Sequence, residues 1–415
     1  MTDKFNPATF AGDMQRRTRQ QKKFDEFEAG LPDPKSATFR TKKMPPMVPP
    51  NFSLGGLVKM IGDMNPLGKH VTRDDTVWLL DNTAFRSSRI RSWEAEFVAA
   101  VFERDPGCKV ADIVSGIAHS VGLADDAKER ETIEERILPF LWDIRMVRIV
   151  KVAMRGKELK MTPTNVNGIS TQVLKIPKAE PGSLVKASAK VPRGANGILE
   201  AQTFYAGPEG WGIISDVDDT IKITMTSDPV GILEETFCNE PRPVPGMPEL
   251  YRDVQSLLPE DTPWFYLSAS PYNLYPFIRD FRDRYYPPGT LILRDFSWKT
   301  VAGLLSALTM GTEEYKADRM KKVNGWFPNR KMIVIGDSTQ SDPEAYGEIY
   351  RTVPGWIKLI LIRKVEDVAA VGIEDKNLPD RFEKAFEGVP RQAWHVFSDP
   401  AECAQIIRDT IFRDG

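Results

Sequence analysis

The chain has 415 residues, which implies two to three domains at roughly 150 residues each. Apolar residues make up 41% and charged residues 27%, ordinary globular values that exclude a fibrous or wholly disordered chain. With 56 basic against 58 acidic side chains there is no whole-chain field to attract nucleic acid, and no such partner is expected.

Residues 1–50 read as a disordered basic and proline-rich tail. Arg16, Arg17, Arg19, Lys22 and Lys23 crowd one stretch, and four prolines fall between Met44 and Pro50. Such a segment buries too little surface to offset its ordering entropy. Its Lys43, Pro46 and Pro49 match the basic-x-x-Pro-x-x-Pro spacing that SH3 domains read on a polyproline II helix; a stiff, solvated linker is the alternative. No apolar run reaches the roughly 18 residues that span a bilayer, and the first 25 residues lack the apolar core of a secretory signal. Cys108, Cys238 and Cys403 are too widely spaced for a disulfide framework or a zinc cluster. A soluble protein of a reducing, cytoplasmic compartment is expected.

Residues 51–145 are expected to be helical. Phe52, Leu54, Leu57, Val58, Ile61 and Met64 form a stripe suited either to a membrane interface or to docking on the protein itself. Trp93, Phe97, Val101 and Phe102 are read as one helical face, and Ile133, Ile137, Leu138 and Leu141 as another. Residues 146–207 carry short runs rich in valine and threonine, broken by Pro, Gly and Asn196–Gly197, as in a small antiparallel, sandwich-like domain. From 208 to 415 the rhythm becomes strand, polar loop, helix. Apolar strands run into Asp216, Ser268 and Gly336–Asp337, with Lys358–Ile362 as a further strand. That alternation predicts an α/β fold with a parallel sheet covered on both faces, its chemistry at the carboxyl edge.

The polar residues at those edges form a set. Asp216 and Asp218, two apart at a strand end, require a cation to offset repulsion and desolvation, and hard oxygen ligands suit Mg²⁺. Ser268 adds a hydroxyl, Lys316 opens a helix, and Asp337 and Asp342 add two carboxylates. Asp342 also fits the N-cap of a helix begun by Pro343. Lys222 and Arg294 are read as solvated or paired charges rather than headgroup contacts, and His70, His119 and His395 receive no role.

Carboxylate, hydroxyl, lysine, carboxylate in this order resembles the haloacid-dehalogenase-like phosphatases. The runs Ile214–Lys222, Tyr266–Pro271, Ser297–Trp298 through Lys316, and Ile335 to Tyr346 look like the catalytic domain of the fungal actin-patch phosphatidate phosphatases. The resemblance implies a Rossmann-like sheet without a large cap and a Mg²⁺-dependent hydrolysis of phosphatidate to diacylglycerol. It implies Asp216 as nucleophile, Asp218 as general acid and base, and Ser268 and Lys316 as phosphate ligands. The metal would take Asp216, the Asp218 carbonyl, Asp337 and Asp342, with Thr220 orienting the loop. It also implies peripheral attachment to a phospholipid membrane surface and a place in cortical actin patches and endocytosis. Only 47 residues separate Thr220 from Ser268, which predicts an open site whose flap meets acyl chains or packs on the neighbouring domain. A phosphoprotein or other phosphomonoester as substrate, and an adaptor role in the cortical machinery, remain the alternatives.

Overall fold

The computed structural model describes residues 69–87, 92–104, 110–122, 127–295, 312–366 and 373–414. The SH3-type motif at Lys43, Pro46 and Pro49, the stripe from Phe52 to Met64, Cys108, Ser297, Trp298 and Gly311 lie outside the described residues.

Among the described residues of the first half, strands predominate over helices. Strands β1 (Asp75–Leu79), β2 (Asn82–Arg86) and β3 (Trp93–Glu103) precede two helices, α1 (Val110–Ser120) and α2 (Ala127–Leu141). After the two-residue strands Asp143–Ile144 and Arg148–Ile149, six longer strands follow: β4 (Lys151–Met154), β5 (Lys157–Lys160), β6 (Ile169–Lys175), β7 (Leu184–Lys190), β8 (Asn196–Ile198) and β9 (Glu200–Tyr205). With the short Asp143–Ile144 they make one ten-stranded sheet, ordered β8-β1-β3-β2-β9-β7-β4-β5, with β6 also paired to β3. The helical reading of Trp78 to Glu103 is therefore corrected to three strands. Trp93, Ala95, Phe97, Ala99 and Val101 all face the core, a period of two that the small alanines hide beneath an apparent spacing of four. Val110–Ser120 and Ala127–Leu141 are helices. Asn196–Gly197 lies within β8 rather than in a turn, where Gly197 has φ +118° and a Cβ would sit 2.2 Å from the Val77 carbonyl oxygen.

The second half builds a six-stranded sheet in which every pairing is parallel. Its elements run β10 (Glu209–Asp216), α3 (Met247–Leu257), β11 (Trp264–Pro271), α4 (Tyr275–Tyr285), β12 (Thr290–Arg294) and α5 (Thr312–Trp326). They continue with β13 (Asn329–Asp337), α6 (Asp342–Thr352), β14 (Ile357–Arg363), β15 (Trp394–Phe397) and α7 (Ala401–Asp414). The strand order is β12-β11-β10-β13-β14-β15. Alternate strand residues serve opposite faces. Ile213, Tyr266, Ile333 and Leu359 pack with Leu250, Tyr251 and Ile278, while Ile214, Phe265, Val334 and Ile360 pack with Met320, Tyr346 and Ile349. Both faces are thus covered by helices, which is why these strands read as unbroken apolar runs.

The two halves share a core. Trp78, Phe102, Ile117, Ile133 and Ile137 join the cluster that covers one face of the parallel sheet. Helix α2 lies against the flap that follows β10, with Phe140 and Phe237 ring centroids 5.8 Å apart, and the Asn273 amide donates to the Pro139 carbonyl at 2.9 Å.

Candidate active site

Three central strands deliver the site, since β10 ends at Asp216, β11 carries Ser268 near its end and β13 ends at Asp337. Helix α5 brings Lys316 on its second turn, and α6 opens with Asp342. All five side chains are fully buried, and Asp218 is 3% exposed. The expectation of an open site is therefore corrected. The flap is tied to the loop after β13: Thr226 and Thr339 hydroxyls meet at 2.9 Å, and the Lys376 ammonium bonds the Thr339 carbonyl. Arg381 braces the same loop by donating to the Ser338 and Gln340 carbonyls, each at 2.6 Å. Within the flap Ile221, Ile232, Leu233 and Phe237 are buried in the shared core, so packing is the role the structure gives them.

Asp216, Asp337 and Asp342 each present a carboxylate oxygen within 4.8 Å of the others. Lys316 is the cation among them: its Nζ lies 2.6 Å from Asp216 Oδ1 and also bonds Asp342 Oδ1. Thr220 Oγ1 lies 3.0 Å from Asp216 Oδ2 and 3.1 Å from Asp337 Oδ2, so its single proton is shared between the two carboxylates. Asp342 does not cap its helix; Ser341 holds the cap position, and Asp342 Oδ2 accepts from the Asp337 amide at 3.0 Å. Burial foremost pushes the Asp216 carboxyl well above its usual range; Lys316 opposes that, and Asp342, Asp337 and Asp218 add to it. Burial likewise raises Asp342, to about 6. Asp216 Oδ1 meets Lys316 as an ion pair yet accepts no well-directed hydrogen bond. Three buried carboxylates against one ammonium leave negative charge uncompensated, and a hard divalent cation fits that donor set.

Asp218 stands apart from this trio. Its Oδ2 accepts from Ser268 Oγ at 2.6 Å and its Oδ1 from Thr224 Oγ1 at 3.0 Å. Asp216, Asp218, Thr220, Ser268, Lys316, Asp337 and Asp342 thus converge on one carboxyl edge, with Ser268 and Lys316 engaged to carboxylates. Lys222, read as a solvated or paired surface charge, is instead 2% exposed, with Nζ on the Ile223 and Glu235 carbonyls and on Thr224 Oγ1. Thr224, Thr226, Thr339 and Arg381 went unnoticed in the sequence. The alternation Thr220, Lys222, Thr224, Thr226 directly after the acidic turn was the one available signal.

Fold and site together define an α/β protein with a buried carboxylate–lysine centre at the carboxyl edge of a parallel sheet. Residues 211–364 match the family described as the catalytic domain of phosphatidate phosphatase APP1. Over 162 residues the chain is 30% identical to phosphatidate phosphatase APP1 of Saccharomyces cerevisiae, covering 38% of this chain and 27% of that protein. Over 161 residues it is 27% identical to an uncharacterized protein of Schizosaccharomyces pombe, covering 38% of this chain and 25% of that one. The chain spans about a quarter of the length of the curated relatives it matches. Residues 211–364 are thus similar to the catalytic domain of the APP1 phosphatidate phosphatases.

Proposed function

We propose that the protein is a Mg²⁺-dependent phosphatase with a haloacid-dehalogenase-type catalytic domain, hydrolysing phosphatidate to diacylglycerol and phosphate at a membrane surface. The observation that carries this reading is the buried group of Asp216, Asp337 and Asp342 around Lys316, inside the segment matched to the APP1 catalytic domain. In this reading Asp216 attacks phosphorus and the alkoxide of diacylglycerol leaves, taking a proton from Asp218. Asp218 then removes a proton from the water that cleaves the aspartyl phosphate, which frees phosphate and restores Asp216. Lys316 and Ser268 exchange their carboxylate partners for the phosphoryl oxygens, and Thr220 keeps Asp216 and Asp337 aligned. Asp216, Asp337, Asp342 and the Asp218 carbonyl are the groups to hold Mg²⁺, whose charge would offset the repulsion between carboxylate and phosphate.

Among the described residues no helix is long and apolar enough to cross a membrane, which is compatible with peripheral attachment. SH3-domain proteins of the cortical actin machinery, bound through Lys43, Pro46 and Pro49, are proposed as partners on the sequence motif alone. The test is phosphate release from phosphatidate in detergent micelles, with and without Mg²⁺, beside Asp216→Asn. Release that requires both supports the proposal. Mg²⁺-dependent cleavage of an aryl phosphate without release from phosphatidate would keep the phosphatase and discard the lipid.

A further inference from the structure

The first turn of the flap is fixed more firmly than a surface connection requires. Asp219 and Met225 both sit in the left-handed region, at φ 60° and 58°, where a side chain brings a steric cost. Asp219 is 1% exposed, and its carboxylate gathers the amides of Thr224 at 2.9 Å, Met225 at 2.8 Å and Thr226 at 2.7 Å. Thr226 Oγ1 adds a fourth bond at 2.6 Å, and Arg363 clamps the Asp219 carbonyl at 2.8 Å. Strain of this kind persists where surrounding contacts over-determine it, and it concentrates at functional sites.

The turn delivers Thr224 Oγ1 to Asp218. A hydroxyl has one proton, and a lysine ammonium donates without accepting. Lys222 Nζ reaches Thr224 Oγ1 at 3.2 Å, so a lone pair of that oxygen is occupied and its proton is directed onward. Asp218 Oδ1 at 3.0 Å is a nearer acceptor for that proton than the Lys222 carbonyl at 3.4 Å. Burying an ammonium is costly unless its donors are met. Here Lys222 also bonds the Ile223 carbonyl at 3.0 Å and the Glu235 carbonyl at 3.4 Å, and lies 5.3 Å from the Phe277 ring centroid. With Ser268 on the other oxygen, both arms of the Asp218 carboxylate are pinned by hydroxyls.

We propose that Thr224, set by Lys222 and by the Asp219 turn, is a positioning residue for Asp218, fixing the carboxylate in the orientation that protonates the leaving alkoxide. This rests on the proposed reading of Asp218 as the general acid. Proton transfer is needed by a poor leaving group and hardly by a good one. The signature is therefore a split between substrates rather than a uniform loss.

The experiment compares kcat and KM for an alkyl phosphate monoester, phosphatidate in micelles, and for 4-nitrophenyl phosphate, whose leaving group needs little help. Asp218→Asn provides the reference split. Thr224→Val is expected to lower kcat/KM, which reports the leaving-group step and not the shared dephosphorylation, about tenfold on the alkyl ester and by less than about threefold on the aryl ester. Thr224→Ser, which restores the hydroxyl, is expected to regain most of the loss. Lys222→Met supplies a second variant, expected to show the same split in weaker form should Thr224→Val fail to fold. Equal losses of kcat/KM on both esters from Thr224→Val and Lys222→Met would reduce the pair to a structural role and overturn the proposal, leaving the acid reading intact. Absence of a split in Asp218→Asn itself would overturn both.

Discussion

Gly336 shows how tightly single residues constrain the centre. A Cβ at this position would lie 2.6 Å from Asp342 Oδ2 and 2.7 Å from Asp342 Cβ and Cγ. The first carbons of Asp342 are no flexible tip that can swing away, so Gly336→Ala must displace that carboxylate or the strand. Overpacking of this sort typically costs about 1–3 kcal/mol. Gly336→Ala is therefore expected to lower unfolding stability by about that amount in urea titrations and to reduce phosphate release at least about tenfold. Full activity with an unchanged midpoint would show that the position of Asp342 does not matter.

At the scale of elements, the flap and the loop after β13 act as a latch. Lys376 lies in that latch, its ammonium on the Thr339 carbonyl and 3.4 Å from Ser227 Oγ. Burial is the main cause that lowers its pKa from 10.5 to about 8, with Arg381 adding to it and Asp337 and Asp219 opposing. The unfolded chain keeps this proton to higher pH than the folded one. Between about pH 8 and the unfolded value the folded state therefore binds fewer protons, and stability rises with pH through that window. Below it the cost of burying the charge is present in full. Wild type should gain stability relative to Lys376→Met as the pH of thermal melts is raised from about 7.5 to about 10. A constant difference would mean that Lys376 titrates as it does in the unfolded chain.

Across the whole molecule, Asp81 joins the two halves. It lies between β1 and β2, and its Oδ2 accepts from Arg279 at 3.0 Å and Arg282 at 2.8 Å, both on α4 of the parallel-sheet unit. Its Oδ1 accepts from the Gln202 amide at 2.8 Å, and its own amide donates to Tyr275 Oη at 2.8 Å. Asp81→Ala would leave the buried Arg282 with Asp283 as its remaining carboxylate, so the loss is that of a charged hydrogen bond, about 1.5–3 kcal/mol, rather than that of a fully broken pair. A loss of that size is expected in chemical denaturation, with both halves melting together because they share one apolar cluster. Separate transitions in wild type would contradict that shared core.

The parts legible in the chain were those governed by local rules. Strands buried on both faces announce themselves as apolar runs, and the residues at their ends must be polar, so Asp216, Ser268 and Asp337 stood out together with the parallel sheet. The strand Trp93–Glu103 did not, because Trp93, Phe97 and Val101 satisfy a helical spacing and a strand alternation alike, and sheet partners decide between them. Lys222 looked like surface charge for a related reason. A lysine is solvated by default, and its burial here needs the Glu235 carbonyl and the Phe277 ring, brought up by the fold, beside the local Ile223 carbonyl and Thr224. The sequence by itself determined which chemical groups are present and at which strand ends. Tertiary structure alone decided that Asp218 is gripped from both sides, that Asp342 turns to Lys316 instead of capping its helix, and that this carboxyl edge is enclosed. Those outcomes depend on contacts between residues far apart in the chain, whose distances no local pattern encodes.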